Sequence, residues 1–189
     1  MPTPRILAFC LFFVLTCGMP AGPAFAQSGI DFDNDIQPIL TRFGCNSGPC
    51  HGKARGQGGF QLSLLGFDSQ QDLDAITREG RGRRVFPGAP EESLLFTKPT
   101  GLVPHGGGRR FDPAGPEAAT LLQWIREGLP RRAANAPTLT GISVSPATIT
   151  FAPSQTQSLT VTARYSDGTT RDVTRLTAFQ SSEAPVAAV

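Results

Sequence analysis

Two cysteines and a histidine stand together in the stretch Cys45-Asn46-Ser47-Gly48-Pro49-Cys50-His51. Residues of these types at this spacing can do three things. They can close a small disulfide, contribute to a tetrahedral zinc site, or attach a porphyrin. In the last case each thiol forms a thioether with one vinyl group, and the imidazole just after the second thiol meets iron from the same face. The usual pattern has two residues between the cysteines, and here there are four. Gly48 and Pro49 are turn formers that can fold the extra residues into a tight loop and leave the sulfurs placed as usual. A structural disulfide is the default for cysteines in exported chains, with His51 incidental. Zinc is the weaker alternative, because thiols are poorly kept for it in an oxidising compartment.

Haem iron commonly takes a second axial donor, often a methionine. Met1 and Met19 both fall in an N-terminal segment with the marks of a removable signal, so the mature chain holds no methionine. It holds one further histidine, His105, in Pro104-His105-Gly106-Gly107-Gly108. The three glycines would let the loop approach a flat ligand closely. Bis-histidine ligation by His51 and His105 is therefore the expectation. The alternative is five-coordinate iron, with His105 an ordinary loop residue. Arg81, Arg83, Arg84, Arg109 and Arg110 are candidates to pair with haem propionates or are plain solvated charge.

Short helices must position these groups. Ile36, Ile39, Leu40 and Phe43 repeat on one helical face and run straight into Gly44 and Cys45. Pro38 requires that helix to begin near Asn34 or Asp35. Ser69 is a plausible cap for a second helix carrying Leu73 and Ile76 and stopped at Gly80. Pro90-Glu91-Glu92 reads as the acidic first turn of a short helix with Leu94 and Leu95. Pro116 opens a helix with Ala118, Leu121, Leu122, Trp124 and Ile125, closed by Gly128 and Pro130. Two terminal helices crossing behind a haem is the arrangement expected of a c-type cytochrome. Residues 30–130 thus read as an all-α, haem-binding module with large loops.

Residues 131–138 form a linker, after which the composition turns to Thr, Ser and Val. Leu159, Val161, Ala163 and Tyr165 alternate with polar residues, as in a half-buried strand. Asp167-Gly168 is a hairpin signal, Thr169–Thr174 the return strand, and Ala178–Ser182 a further strand. The region 139–189 reads as an incomplete all-β sandwich. At 51 residues ending on Val186-Ala187-Ala188-Val189, it falls short of the roughly 100 residues of a full domain. The expectation is an N-terminal portion of a longer protein.

At the other end, Arg5, the apolar run Ile6–Val14 and Ala24-Phe25-Ala26 make residues 1–26 an export signal, too short to span a bilayer comfortably. An uncleaved anchor is the alternative. Cys17 could hint at a lipoprotein, but Leu15-Thr16 is a poor lipid-attachment context. Cleavage removes Cys10 and Cys17 and leaves Cys45 and Cys50 alone. Localisation is expected in the periplasm or at the cell surface, with membrane contact only through the signal. A net charge of +2 with 39% hydrophobic residues suits an ordinary globular protein and argues against a strongly basic nucleic-acid binder.

Several segments together resemble one family. Gly44–Lys53, Gly56-Gln57-Gly58-Gly59-Phe60-Gln61-Leu62-Ser63-Leu64, Gly82–Pro87 and Val103–Gly108 are similar to the cytochrome c-like module of large exported proteins of planctomycetes and related bacteria. In that family a group 2 bacterial immunoglobulin-like (BIG2) domain follows. Leu139–Val144, Tyr165–Gly168 and Arg171–Thr174 resemble such a domain. The resemblance implies haem c at Cys45 and Cys50 and an axial role for His51. His105 stands where related modules more often carry Met-Pro-Pro. The implied role is electron transfer to or from a redox partner protein, with cell-surface or polysaccharide contact through the immunoglobulin-like region. No nucleophile with a base, paired acid–base carboxylates or phosphate loop is visible, so an electron carrier is expected rather than an enzyme. The competing readings are a haem-free adhesion module with a Cys45–Cys50 disulfide and, if iron keeps an open position, a small peroxidase.

Overall fold

Pro38 decides how the first helix is built. A proline inside an α-helix clashes with the carbonyl four residues back. The chain avoids this with a wide π-helical turn, Phe32–Ile36, which continues as α1, Gln37–Arg42. In the computed structural model, which describes residues 29–52, 56–132, 135–150 and 152–189, the turn is capped by Asp31, whose carboxylate accepts from the Asn34 N–H at 2.8 Å. The helix therefore starts a few residues earlier than the proline alone suggests. The segment read as an export signal lies outside the described residues.

Helix α2, Ser69–Thr77, is capped by Asp68 rather than Ser69: Asp68 Oδ1 accepts from Gln71 N at 3.0 Å. Ser69 Oγ instead donates to Asp33 at 2.6 Å and ties α2 to the first turn. The Pro90–Leu95 stretch is not one helix. A tight turn at Pro90–Glu92 is separated from α3, Leu94–Thr97, by an extended Ser93. Ser93 is buried, and its hydroxyl accepts from Phe86 N at 2.9 Å, a local bond that competes with helix continuation. Helix α4, Pro116–Arg126, ends at Gly128.

The apolar faces of these helices meet in one core. Trp124 and Phe32 pack with ring centres 5.5 Å apart, and Ile36, Ile76 and Ile125 are fully buried around them. Trp124 Nε1 donates to Pro130 O at 2.8 Å, so the indole is satisfied without water. A buried carboxylate, Asp72, joins three elements. It accepts from Gln37 Nε2 at 2.7 Å and from the Ser63 amide and hydroxyl at 2.5 and 2.9 Å. Among the described residues no helix is long and apolar enough to cross a membrane.

Beyond the linker, β1 (Leu139–Ser145), β2 (Thr160–Tyr165) and β3 (Thr170–Asp172) form an antiparallel sheet in the order β1-β2-β3. Val161, Ala163 and Tyr165 are buried on one face, as their alternation predicts. The Asp167-Gly168 turn joins β2 to β3. Residues 178–182, expected as a strand, are irregular. A tight turn at Thr174–Leu176 comes first and places Leu176 against the helical core. The sheet is joined to the helices by Arg171 on Asp35 at 2.6 Å and Arg175 on Glu117 at 2.9 Å.

Candidate haem-binding site

The cysteine–histidine segment folds into a closed loop at the end of α1. Cys45 N donates to Leu40 O at 2.8 Å, continuing the helical direction. Cys50 N and Gly52 N both donate to Ser47 O, at 3.0 and 2.9 Å, and His51 N returns to Cys45 O at 3.0 Å. The four residues between the cysteines are thus taken up in turns that bring His51 back beside Cys45. Gly52 is required by close approach: a Cβ there would lie 1.9 Å from Asn46 O. Asn46 is fully buried and donates to Thr41 Oγ1 at 2.9 Å, anchoring the loop to α1.

A second turn, 56–60, holds the His51 side chain. Its Nδ1 lies 2.9 Å from Phe60 O, and the ring packs 4.6 Å from the Phe60 ring, centre to centre. Gly56 adopts φ +58°, and a Cβ would strike Phe60 O, so only glycine lets the turn close over that carbonyl. His105 is held in the same manner within its own loop, with Nδ1 2.9 Å from Gly108 O. Lys98, just after α3, supports that loop by donating to Pro104 O at 3.2 Å.

A carbonyl oxygen only accepts hydrogen bonds. In the neutral tautomer that suits these contacts Nδ1 carries the proton, and Nε2 keeps its lone pair for a metal. This is the outer-shell arrangement that orients metal-binding histidines. Burial holds the His51 imidazole below its ordinary pKa, which favours the neutral, ligating form. The two rings are 6.3 Å apart between centres and within 10° of parallel.

Both histidines and both cysteines line one cleft of about 820 Å³, at the upper end of the ~300–1,000 Å³ of cofactor-sized sites. Its apolar lining includes Ile36, Ile39, Leu40, Leu95 and Leu121. Four cations, Arg83, Arg84, Lys98 and Arg110, also line it, with no carboxylate among the lining residues. A ligand suited to these walls is large, largely apolar and acidic, which describes a porphyrin bearing propionates. Burial pushes the Cys45 thiol up to about 11. Arg110 points a guanidinium N–H at Cys50 Sγ, 3.2 Å away. The residues present fit haem c.

The five candidate arginines separate. Arg83, Arg84 and Arg110 line the cleft. Arg109 pairs with Asp112 at 2.8 Å, and Arg81 is exposed. Sequence reasoning missed Phe60, whose carbonyl fixes His51. The glycine-rich turn before it was the available signal, since such a run permits a backbone carbonyl to close on a neighbouring side chain. No family model, curated protein or solved structure matches the chain.

Proposed function

We propose that the helical region carries one haem, joined through thioethers at Cys45 and Cys50 and ligated by His51 and His105, and that it works as an electron-transfer module. The observation that carries this reading is the convergence of both cysteines and both histidines on one cleft, each imidazole with Nδ1 committed to a backbone carbonyl. When bound, haem supplies a one-electron iron couple, and two imidazole ligands favour a lower potential than a histidine–methionine pair. The chain's own residues bind, orient and exclude water. Cys45 and Cys50 fix the macrocycle, Phe60 O and Gly108 O hold the two imidazoles, and Ile39, Leu40 and Leu121 keep the floor of the cleft dry. Arg83, Lys98 and Arg110 would meet acidic groups on the ligand.

The wider reading is an exported protein of the planctomycete type, with a cytochrome c-like module joined to a BIG2-like β region. It would act in the periplasm or at the cell surface and exchange electrons with a redox protein. Expression with a haem-attachment system tests the core of this. A red product whose Soret band stays with the protein through acid–acetone extraction supports covalent haem. A colourless product, or colour lost to the solvent, overturns it.

A further inference from the structure

Arg84 is 6% exposed, yet among the described residues it makes no ion pair. Its guanidinium donates to Ala75 O near the end of α2 and to Gly59 O, the latter at 3.0 Å. It also lies over the Phe60 ring, 4.5 Å from its centre. The Phe60 carbonyl in turn holds His51 Nδ1. One planar cation therefore spans from α2 to both residues that close the turn beneath His51. The nearest acidic influence is Glu79, while Arg83 adds a like charge. A buried guanidinium without a carboxylate is costly to keep, and a purely structural tie between two carbonyls could be made by a neutral donor.

We propose that Arg84 is the positioning residue of the His51 side of the site, and that its uncompensated charge raises the reduction potential of the iron. This rests on the haem reading above. The fork of the guanidinium holds Gly59 O and the Phe60 ring, so the imidazole plane is tied to α2 rather than set by the loop alone. A fixed positive charge at the cleft wall favours the reduced iron, which carries one positive charge fewer than the oxidised iron. At an effective dielectric of about 20, a unit charge across one or two side chains changes the reduced-to-oxidised ratio by about tenfold.

The test compares wild type, Arg84→Lys and Arg84→Gln, each loaded with covalent haem, by potentiometric titration and by low-temperature electron paramagnetic resonance of the ferric state. Both variants should change the g-value spread that reports the angle between the two imidazole planes, because neither reproduces the fork. Arg84→Gln should also shift the ratio about tenfold toward oxidised iron, a lowering of about 59 mV for one electron, and Arg84→Lys should shift it less than threefold. If Arg84→Gln does not fold, Arg84→Met supplies the uncharged variant and Arg84→Lys still decides the fork. An unchanged g-value spread in the variants overturns the positioning role. A potential within twofold in that ratio for the uncharged variant overturns the charge role. A wild type that takes up no haem overturns the reading beneath both, and is recognised before any variant is made.

Discussion

Arg110 reaches across 60 positions to bring a guanidinium N–H within 3.2 Å of Cys50 Sγ. The contact pins the loop bearing His105 against the loop bearing His51, so the two halves of the site are joined by the same segments that present their ligands. Cys45, on the other side of the pair, is held as the neutral thiol by burial, at about 11. In the haem-free Cys50→Ser protein, alkylation of Cys45 should be slow at pH 7. Because the thiolate is the nucleophile, the rate should rise about tenfold per pH unit and level off only near pH 11. Iodoacetamide labelling followed by mass spectrometry reads this out, and a rate independent of pH between 7 and 9 would contradict the burial.

In the proposed haem attachment each cysteine makes one thioether. Cys45→Ser or Cys50→Ser should leave partial covalent attachment, and the double change should remove it. Denaturing gels stained for haem decide the matter. Undiminished staining in the double variant would sink the assignment.

Among the described residues the His105 ring makes one hydrogen bond, to Gly108 O, and its loop is tied back by Lys98 on Pro104 O and Arg110 on Cys50 Sγ. His105→Ala should therefore cost little stability while converting low-spin ferric iron to an open, high-spin form. The ferric optical spectrum and new carbon monoxide binding on reduction report the change. A spectrum identical to wild type would remove His105 from the ligand set.

Asp72 is a stability prediction independent of haem. Its two oxygens accept from Gln37 and twice from Ser63, all buried. Asparagine offers one acceptor oxygen and turns an N–H₂ toward a donor. Asp72→Asn should destabilise the helical region by about 2–3 kcal/mol, the scale of losing hydrogen bonds to a buried carboxylate. Urea unfolding of wild type and variant measures it, and a change under about 0.5 kcal/mol, the scatter of ordinary surface substitutions, would show that the carboxylate is not holding the three elements.

The linker is held against the first helical turn rather than hanging free. Phe32 N donates to Arg131 O at 2.9 Å, and Asn34 Nδ2 to Pro137 O at 3.1 Å. Arg171 on Asp35 adds a tie from the β region. Arg171→Ala, or raised salt that screens the pair, should therefore speed tryptic cleavage after Arg131 and Arg132. Equal cleavage rates in wild type and variant at low salt would mean that the two regions separate without that ion pair.

The sequence by itself determined the local features. The i, i+3, i+4 spacing of Ile36, Ile39 and Leu40 marks a buried helical face, Pro116 and Gly128 bound α4, and the alternation of Val161, Ala163 and Tyr165 marks a strand. These follow from short-range geometry, which sequence spacing encodes directly. It also presented the two thiols and two imidazoles as a set. What only the tertiary structure decided is which of several like residues matter. Five arginines read alike in the chain, but one is buried over Phe60, two line the cleft beside it, and Arg109 is spent on Asp112. Ser69 reads as the cap of α2, but its hydroxyl is taken by Asp33, 36 positions away, and Asp68 caps the helix instead. The strand expected at 178–182 is replaced by irregular chain that follows a tight turn placing Leu176 against the helices. For Arg84 on Phe60 and Ser69 on Asp33 the deciding partner lies far along the chain. The 6.3 Å approach of two parallel imidazoles, 54 positions apart by number (105 − 51), is of the same kind.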